Sequence, residues 1–465
     1  MYNSIDDWPS MHTNLSQGGF FMLEEIRKFL DLKDYSSIRM LLEEELVADV
    51  AEWMEELTKE QRIVIFRLLP KNSAADVFSY LPLEIQQTLI LSLSEKEMGA
   101  IIDDLYSDDA VELIEEMPAN VVKMILKNAN NDTRATINQL LKYPEDSAGG
   151  HMSVDFVDLK PTMTVRDSIR RIRQIGIDKE SINVCYVVDD QRHLLGIVSS
   201  RQLLLQPSET IIGDIMTENV VSIHTLLDQE QVAHEFSKYD YTIIPVVDNE
   251  SRLVGIITID DVVDIIEEEA TEDMEIMAAM APSEKPYLKT SIFEIYKNRV
   301  PWLLILMISA TFTGKIIASF EASLASCAVL TVYIPMLMNS GGNSGSQASV
   351  SVIRGLSLGE IELKDIIKII WKEGRLSILL AATLALANFF KIMIVDKIAI
   401  NVAFVVCLAL FSTTVIAQLV GGSLPVIAKK LGFDPAIMAS PFITTIVDAL
   451  SLLIYFMIAK AILHI

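Results

Sequence analysis

The spacing of apolar positions changes three times along the chain. From residue 20 to 142 apolar residues recur at helical intervals with acids between them, as in Leu41, Leu42, Leu46, Val50 and Met54. Leu69-Pro70, Leu81-Pro82 and Met117-Pro118 punctuate the series as prolines do at helix boundaries. This predicts an all-α, superhelical array of helical hairpins over residues 1–142. Over residues 143–264 the pattern shortens to strands, and it occurs twice. Tyr186–Leu204 aligns with Pro245–Val263, each reading as strand, polar turn, strand and helix start. Helical segments precede both copies, at Thr164–Ile175 and Asp228–Lys238, so this part is expected to be an α/β pair.

A third regime begins at Asp260. The stretch Asp260–Glu275 holds nine acids in sixteen residues, and no Lys or Arg occurs between Arg252 and Lys285. Asp261, Asp264, Glu268, Glu272 and Glu275 fall along one face of a helix, where like charges repel unless something positive sits beside them. Residues 265–295 read as an acidic connector helix, broken by Pro282 and Pro286. Residues 296–465 then hold five membrane-length segments: Val300–Ile317, Ala325 to about Ala348, Leu376–Val395, Ile398 to about Val420, and Pro441–Leu463. The fold class is therefore multidomain, with an all-α membrane domain of five transmembrane helices.

Charge divides the chain. Residues 291–465 carry 13 Lys and Arg against 9 Asp and Glu, a net of +4. The first 290 residues carry 25 against 54, a net of −29, which disfavours nucleic acid and anionic lipid headgroups and attracts divalent cations. Cys185, Cys327 and Cys407 form no CxxC pair, so neither a disulfide framework nor a zinc site is expected. The N-terminal MYNSIDDWPSM lacks a basic and an apolar region, so no cleavable signal is expected. Lys297 and Arg299 precede the first span. Arg354, Lys364, Lys368, Lys372 and Arg375 lie between the second and third, and Lys429 and Lys430 between the fourth and fifth. By the positive-inside rule the acidic domains face the cytosol, the C-terminus lies outside, and the chain sits in the plasma membrane.

Two polar features interrupt the membrane part. Asp448 stands inside the fifth span, where a charge costs about 3 kcal/mol and normally faces a water-filled path or a partner. A protonated Asp in an interhelical hydrogen bond is the plainer reading; a cation ligand in a pore is the sharper one. The second half of span two, Asn339–Ser349, reads NSGGNSGSQAS. Packing alone needs only small residues, whereas a run of Asn, Ser and Gln fits a water-lined path. Pro335, Pro425 and Pro441 supply kinks that free carbonyl oxygens.

The repeated strand–turn–strand–helix unit resembles a tandem pair of CBS domains over about 120 residues, modules that sense small ligands rather than catalyse. That family often grips a ribose with an Asp at the start of the final helix. The position is Asp261 in the second repeat but Gln202 in the first, which argues against a nucleotide such as ATP at the first site.

Together with the acidic helical domain, the connector, the SGGNSGSQA run and the TTIVDAL run, this order resembles the MgtE family of magnesium channels or transporters along nearly the whole chain. The resemblance implies a homodimer in the lipid bilayer whose second and fifth spans line a central pore, with Mg²⁺ as substrate and regulator. Asp448, Asn343, Gly342 and Thr444 are the implied pore residues, with Gly341 and Ser346 beside them. The implied sensors of cytosolic Mg²⁺ are Asp228, Glu230 and Asp240 in the second repeat. In the connector they are Asp261, Asp264, Glu269, Glu272 and Asp273. Asp104 and Asp108 are the implied counterparts in the N-terminal domain, and Asp434 lies before the last span. Bridged acidic faces would hold the pore shut, and repulsion without Mg²⁺ would release it.

Two other readings compete: a proton- or sodium-coupled divalent cation carrier with Asp448 as the proton site, and a nucleotide-sensing membrane regulator that transports nothing. An enzyme is not expected, because no nucleophile–base set is visible. The scarcity of His and Cys near the polar spans favours a hard cation over Co²⁺, Ni²⁺ or Mn²⁺.

Overall fold

The protein is described here from a computed structural model, over residues 11–115, 117–283, 287–288 and 290–464. Pro286, one of the two expected breakers of the connector, lies outside the described residues. The chain divides into two compact units, Met1–Val262 and Val263–Ile465.

The first unit opens with short helices in series, from α1 (Met11–Leu32) to α10 (Asn131–Leu140). The expected prolines do their work here, since Pro70, Pro82 and Pro118 each sit immediately before a helix. Two members matter below: α7 (Glu95–Asp104), opened by a Ser94/Glu97 capping box, and α8 (Ser107–Glu115).

Two three-stranded sheets follow, β1 (Phe156–Leu159), β2 (Ser181–Val188) and β3 (Leu194–Ser199), then β4 (Ile223–His224), β5 (Ile243–Val247) and β6 (Leu253–Thr258). In each, the first strand runs parallel to the second and the second antiparallel to the third. The sequence repeat is thus a structural one. Val187 faces Gly196 in one hairpin as Val246 faces Gly255 in the other. The hairpins also join edge to edge, through Leu253 N to Arg192 O (2.9 Å) and Leu194 N to Ser251 O (3.2 Å). Phe156, Tyr186, Val188, Leu253 and Ile256 fill a shared core beneath. The parallel strands in each repeat need a crossover, supplied by α11 (Val165–Ile175) and, in the second repeat, α14 (Gln229–Tyr239), with the short α12 (Ser200–Leu205) and α13 (Ile212–Ile215) between them. From β6 the chain enters α15 (Ile259–Met277), a single helix that carries the acidic connector.

The second unit is helical: α16 (Ile292–Ser319), the short α17 (Glu321–Ser326), α18 (Val329–Ser357), α19 (Ile366–Lys391), α20 (Ile400–Lys430) and α21 (Ser440–Leu463). Among the described residues, four helical segments, built on α16, α19, α20 and α21, are long and apolar enough to cross a membrane. Helix α18 is also long enough, since 29 residues span about 43 Å. Its Asn and Ser content sets it apart from the other four. It packs along α20 and α21, with Tyr333, Ile334 and Leu337 joining Val406, Leu410, Leu452 and Phe456 in one core. Tyr455 fastens that end by donating to the Leu330 carbonyl at 2.9 Å.

Candidate cation path and acidic sites

Small residues bring α18 close to its neighbours. A Cβ on Gly341 would lie 2.7 Å from Thr413 and 2.9 Å from the Ser451 hydroxyl, and one on Gly345 would lie 2.8 Å from Ile443. A Cβ on Gly421 of α20 would overlap the Gly345 carbonyl oxygen. The glycines of the SGGNSG run therefore serve packing, as the plainer reading of small residues holds. The amides do something else. Pro335, Asn339, Asn343 and Gln347 form an exposed stripe on the opposite face of α18. Asn343 Nδ2 donates to Asn339 Oδ1 at 3.3 Å.

On that side lies a cavity of about 380 Å³, lined by Ile334, Pro335, Met338, Asn339, Gly342, Asn343, Thr444 and Asp448. The four pore residues implied by sequence thus meet at one place. Asp448 Oδ1 is sealed and has no hydrogen-bond partner, which counts against the plainer reading of an interhelical hydrogen bond through that oxygen. A larger cleft of about 680 Å³ beside α9 (Ala119–Asn128) and α10 is lined by Lys123, Lys127 and Arg134 with apolar residues, a charge that repels cations.

The acids gather in two places. In the first unit, oxygens of Asp108, Glu180 and Asp261 all lie within 4.8 Å of one another. The start of α8 is held there by Ser107, whose N–H donates to Asp155 Oδ2 (3.1 Å) and whose Oγ accepts from Val154 N (2.8 Å). Asp261, in the first turn of α15, accepts from Thr258 N and Oγ1 (3.3 and 2.7 Å). Both bonds fall on one carboxylate oxygen, Oδ2, and cap the first turn of α15. Burial raises the Asp108 carboxyl well above the usual range, with Glu180 and Asp261 adding to it. Burial likewise pushes Glu180 up to about 7 and Asp261 to about 6. Asp108 Oδ1 and Glu180 Oε2 are buried without partners.

Such oxygens need protons or a cation. Two cis ligands of Mg²⁺ stand about 2.9 Å apart and two trans ligands about 4.1 Å apart, given bonds of about 2.05 Å. A small inward movement of side chains within 4.8 Å fits that geometry. Asp109, next along α8, is also raised to about 7 by burial and by Glu112, Asp261 and Asp260.

The second gathering joins Asp273 of α15 to Asp434. Burial and then the Asp434 charge raise the Asp273 carboxyl, while Ser357 Oγ donates to its Oδ2 at 3.3 Å. Asp434 accepts from Ala436 N at 2.7 Å and starts the turn that leads into α21. Nearby, Ile276 and Met277 of α15 pack against Ile353 of α18 and against Ala436 and Ala439.

The other implied sensors lie outside these two groups. Asp104 ends α7, raised by partial burial and by Asp103 and Asp178. Asp228 caps α14 by accepting from Glu230 N, and Asp240 ends it in a left-handed turn at φ 53°. Asp264, Glu269 and Glu272 lie along α15, with Glu269 half-buried and the other two exposed. Glu180 escaped the sequence reading. It is one acid in DKESIN, 72 residues from Asp108, and only the fold marks it.

Residues 334–458 match the family described as divalent cation transporter, residues 46–146 the MgtE intracellular N domain, and residues 148–208 and 212–268 the CBS domain. Magnesium transporter MgtE of Thermus thermophilus is 35% identical over 450 residues, 94% of this chain and 98% of its own length. The chain belongs to the MgtE family. The Bacillus subtilis MgtE is 33% identical over 92% of this chain and 97% of its own length. Among solved structures, the cytosolic domain of the Mg²⁺ channel MgtE in complex with ATP is 36% identical. It covers 52% of this chain and 99% of its own, with a TM-score of 0.50. The soluble part of a magnesium transporter is 27% identical over 54% of this chain and 99% of its own, with a TM-score of 0.52. MgtE relatives are named as transporters, so this chain is a transporter-family member and not an enzyme.

Proposed function

We propose that this chain carries Mg²⁺ across the plasma membrane through a pore completed by a second copy, and that cytosolic Mg²⁺ shuts it. The observation that carries the reading is the cavity that brings Asp448 and Thr444 of one apolar helix together with the amides of Asn339 and Asn343. Mg²⁺ gives up water reluctantly and keeps several waters when bound. At about 30 Å³ per water, six waters need about 180 Å³. A half-site of about 380 Å³ that opens along the exposed stripe of α18 accommodates that hydrated ion. Two copies facing one another would place two Asp448 carboxylates on one path.

Closure uses the acidic sites. Mg²⁺ at Asp108, Glu180 and Asp261 would offset the repulsion that burial imposes, and a second ion at Asp273 and Asp434 would hold the end of α15 against α18. Asp104, Asp228, Glu230, Asp240, Asp264, Glu269 and Glu272 add negative potential around these sites. The acidic unit then lies in the cytosol and the C-terminus outside. ATP, bound by the solved relative, is carried over as a ligand of the CBS pair, with Asp261 the residue that matches the ribose-binding Asp.

The test is current from the full-length protein in liposomes, with Mg²⁺ varied on the cytosolic side. Asp448→Ala is expected to abolish divalent selectivity, and wild-type openings to vanish as Mg²⁺ rises. Mg²⁺ uptake without unitary current would replace the channel by a carrier, and no flux at all would sink the reading.

A further inference from the structure

Asn339, Asn343 and Gln347 follow one another at i, i+4 and i+8 on α18, all exposed, while Gly341, Ser344, Gly345 and Ala348 behind them are buried. Exposed polar residues on a helix are usually a solvated face. Here the helix lies among membrane-length apolar helices, where unpaired polar groups are costly and normally face an aqueous cavity.

The level of Asp448 along α18 follows from the packing of α21. The two helices run antiparallel, with Thr444 over Gly342 and Tyr455 donating to the Leu330 carbonyl. Thr444 against Gly342 and Val447 against Gly341 therefore bring Asp448 level with the stretch Met338–Ser340, which holds Asn339. Both Met338 and Asn339 line the cavity that Asp448 faces. Asn343 lies one turn further along α18. Its amide donates to Asn339 Oδ1, a carbonyl oxygen with two lone pairs, of which one remains for another donor. Waters around a divalent cation are such donors.

We propose that Asn339 is a specificity-determining residue of the cation path, sharing a tier with Asp448, accepting from the waters of a hydrated divalent cation and anchoring Asn343. The proposal rests on the pathway reading above, and it adds a residue that the resemblance did not supply. In this arrangement the Asp448 carboxylate provides charge, while the Asn339 amide provides directional acceptance that separates a tightly hydrated ion from a larger, looser one.

The experiment uses full-length protein in liposomes and compares wild type, Asn339→Leu, Asn339→Asp and Asp448→Ala for Mg²⁺ influx and for the ratio of Mg²⁺ to Ca²⁺ influx. Loss of one acceptor facing a charged partner's waters is expected to lower Mg²⁺ influx about tenfold in Asn339→Leu. The Mg²⁺/Ca²⁺ ratio should fall with it. Asn339→Asp, which keeps the acceptor oxygen, should restore influx. Asn339→Cys, in a chain with Cys185, Cys327 and Cys407 replaced by alanine, should react with a charged thiol reagent more slowly when Mg²⁺ is present. This readout decides the matter if the leucine variant does not fold. Wild-type influx and ratio in Asn339→Leu, or Cys reactivity indifferent to Mg²⁺, would overturn the proposal while leaving the pathway intact if Asp448→Ala abolishes selectivity. A wild type that carries no Mg²⁺ would remove both.

Discussion

Replacing Glu180 with Gln should make the Mg²⁺-free protein more stable and at the same time less responsive to Mg²⁺. The oxygens of Asp108, Glu180 and Asp261 lie within 4.8 Å of one another. At an effective dielectric constant of about 20, two unit charges at that distance repel by about 3.5 kcal/mol. Burial first, and the Asp261 and Asp260 charges after it, hold the Glu180 carboxyl up at about 7 against an ordinary 4.5, about 3 kcal/mol against ionisation in all. Between pH about 4.5 and about 7 the folded protein therefore binds a proton that the unfolded chain does not. Stability from this group is greatest below that window and is lost as pH rises through it. Asp261, raised to about 6, and Asp109, raised to about 7, slope the same way. Mg²⁺ replaces those protons and should flatten the fall.

The assay is thermal unfolding of the full-length protein in detergent at a series of pH values across this window, with chelator or with excess Mg²⁺. Wild type should lose stability with rising pH in chelator and regain it with Mg²⁺. In Glu180→Gln the loss should shrink by about 2–3 kcal/mol, most of the ionisation cost worked out above, and the Mg²⁺ gain should shrink with it. An unchanged pH slope together with a full Mg²⁺ gain would refute the reasoning, because Glu180 would then be neither buried against the other acids nor a ligand.

Two further substitutions test the membrane unit. Gly421→Ala puts a methyl group onto the Gly345 carbonyl oxygen and must push α18 from α20, with an overpacking cost of about 1–3 kcal/mol. A lower unfolding temperature with loss of Mg²⁺ flux is expected, and normal values of both would show that the helices do not meet there. Asp273→Asn keeps the side chain beside the Ser357 hydroxyl but removes the charge that opposes Asp434. Patch currents should then show a channel more often closed in the absence of cytosolic Mg²⁺ and less sensitive to its addition.

Fold class was legible because each regime of the chain obeys a local rule. Pro70, Pro82 and Pro118 mark helix starts whatever surrounds them. The repeat around Gly196 and Gly255 fixes strand register through two hairpins built alike. Helix α18 was harder. Its length is ordinary for a span, but its polar residues remove the apolar signal, and a reading by hydropathy alone would stop at four. What betrays it is the pairing of amides on one face with glycines on the other, a pattern without meaning until α20 and α21 are packed against the glycine side.

The site was legible only where its members are close in sequence. Gly342 and Asn343 lie together, as do Thr444 and Asp448, and packing α18 on α21 is enough to unite the two pairs. The Asp108, Glu180 and Asp261 cluster draws on a helix start, the lead-in to a strand and another helix start, separated by 72 and 81 residues. No spacing rule links such positions, and an acid-rich chain offers many decoys. Of the clusters at Glu43–Glu45, Asp103–Asp104 and Asp108–Asp109, only the last supplies a member of the three-carboxylate group found among the described residues. What singles out Asp108 is burial against other acids, a property of packing and not of composition. Asn339 shows the same limit on a smaller scale. It was visible as one letter of a polar run, yet its level beside Asp448 depends on where Thr444 meets Gly342 and where Tyr455 meets Leu330. A slide of α21 by one turn would set Asp448 against Asn343 instead, so the interhelical register decides which amide stands beside the charge.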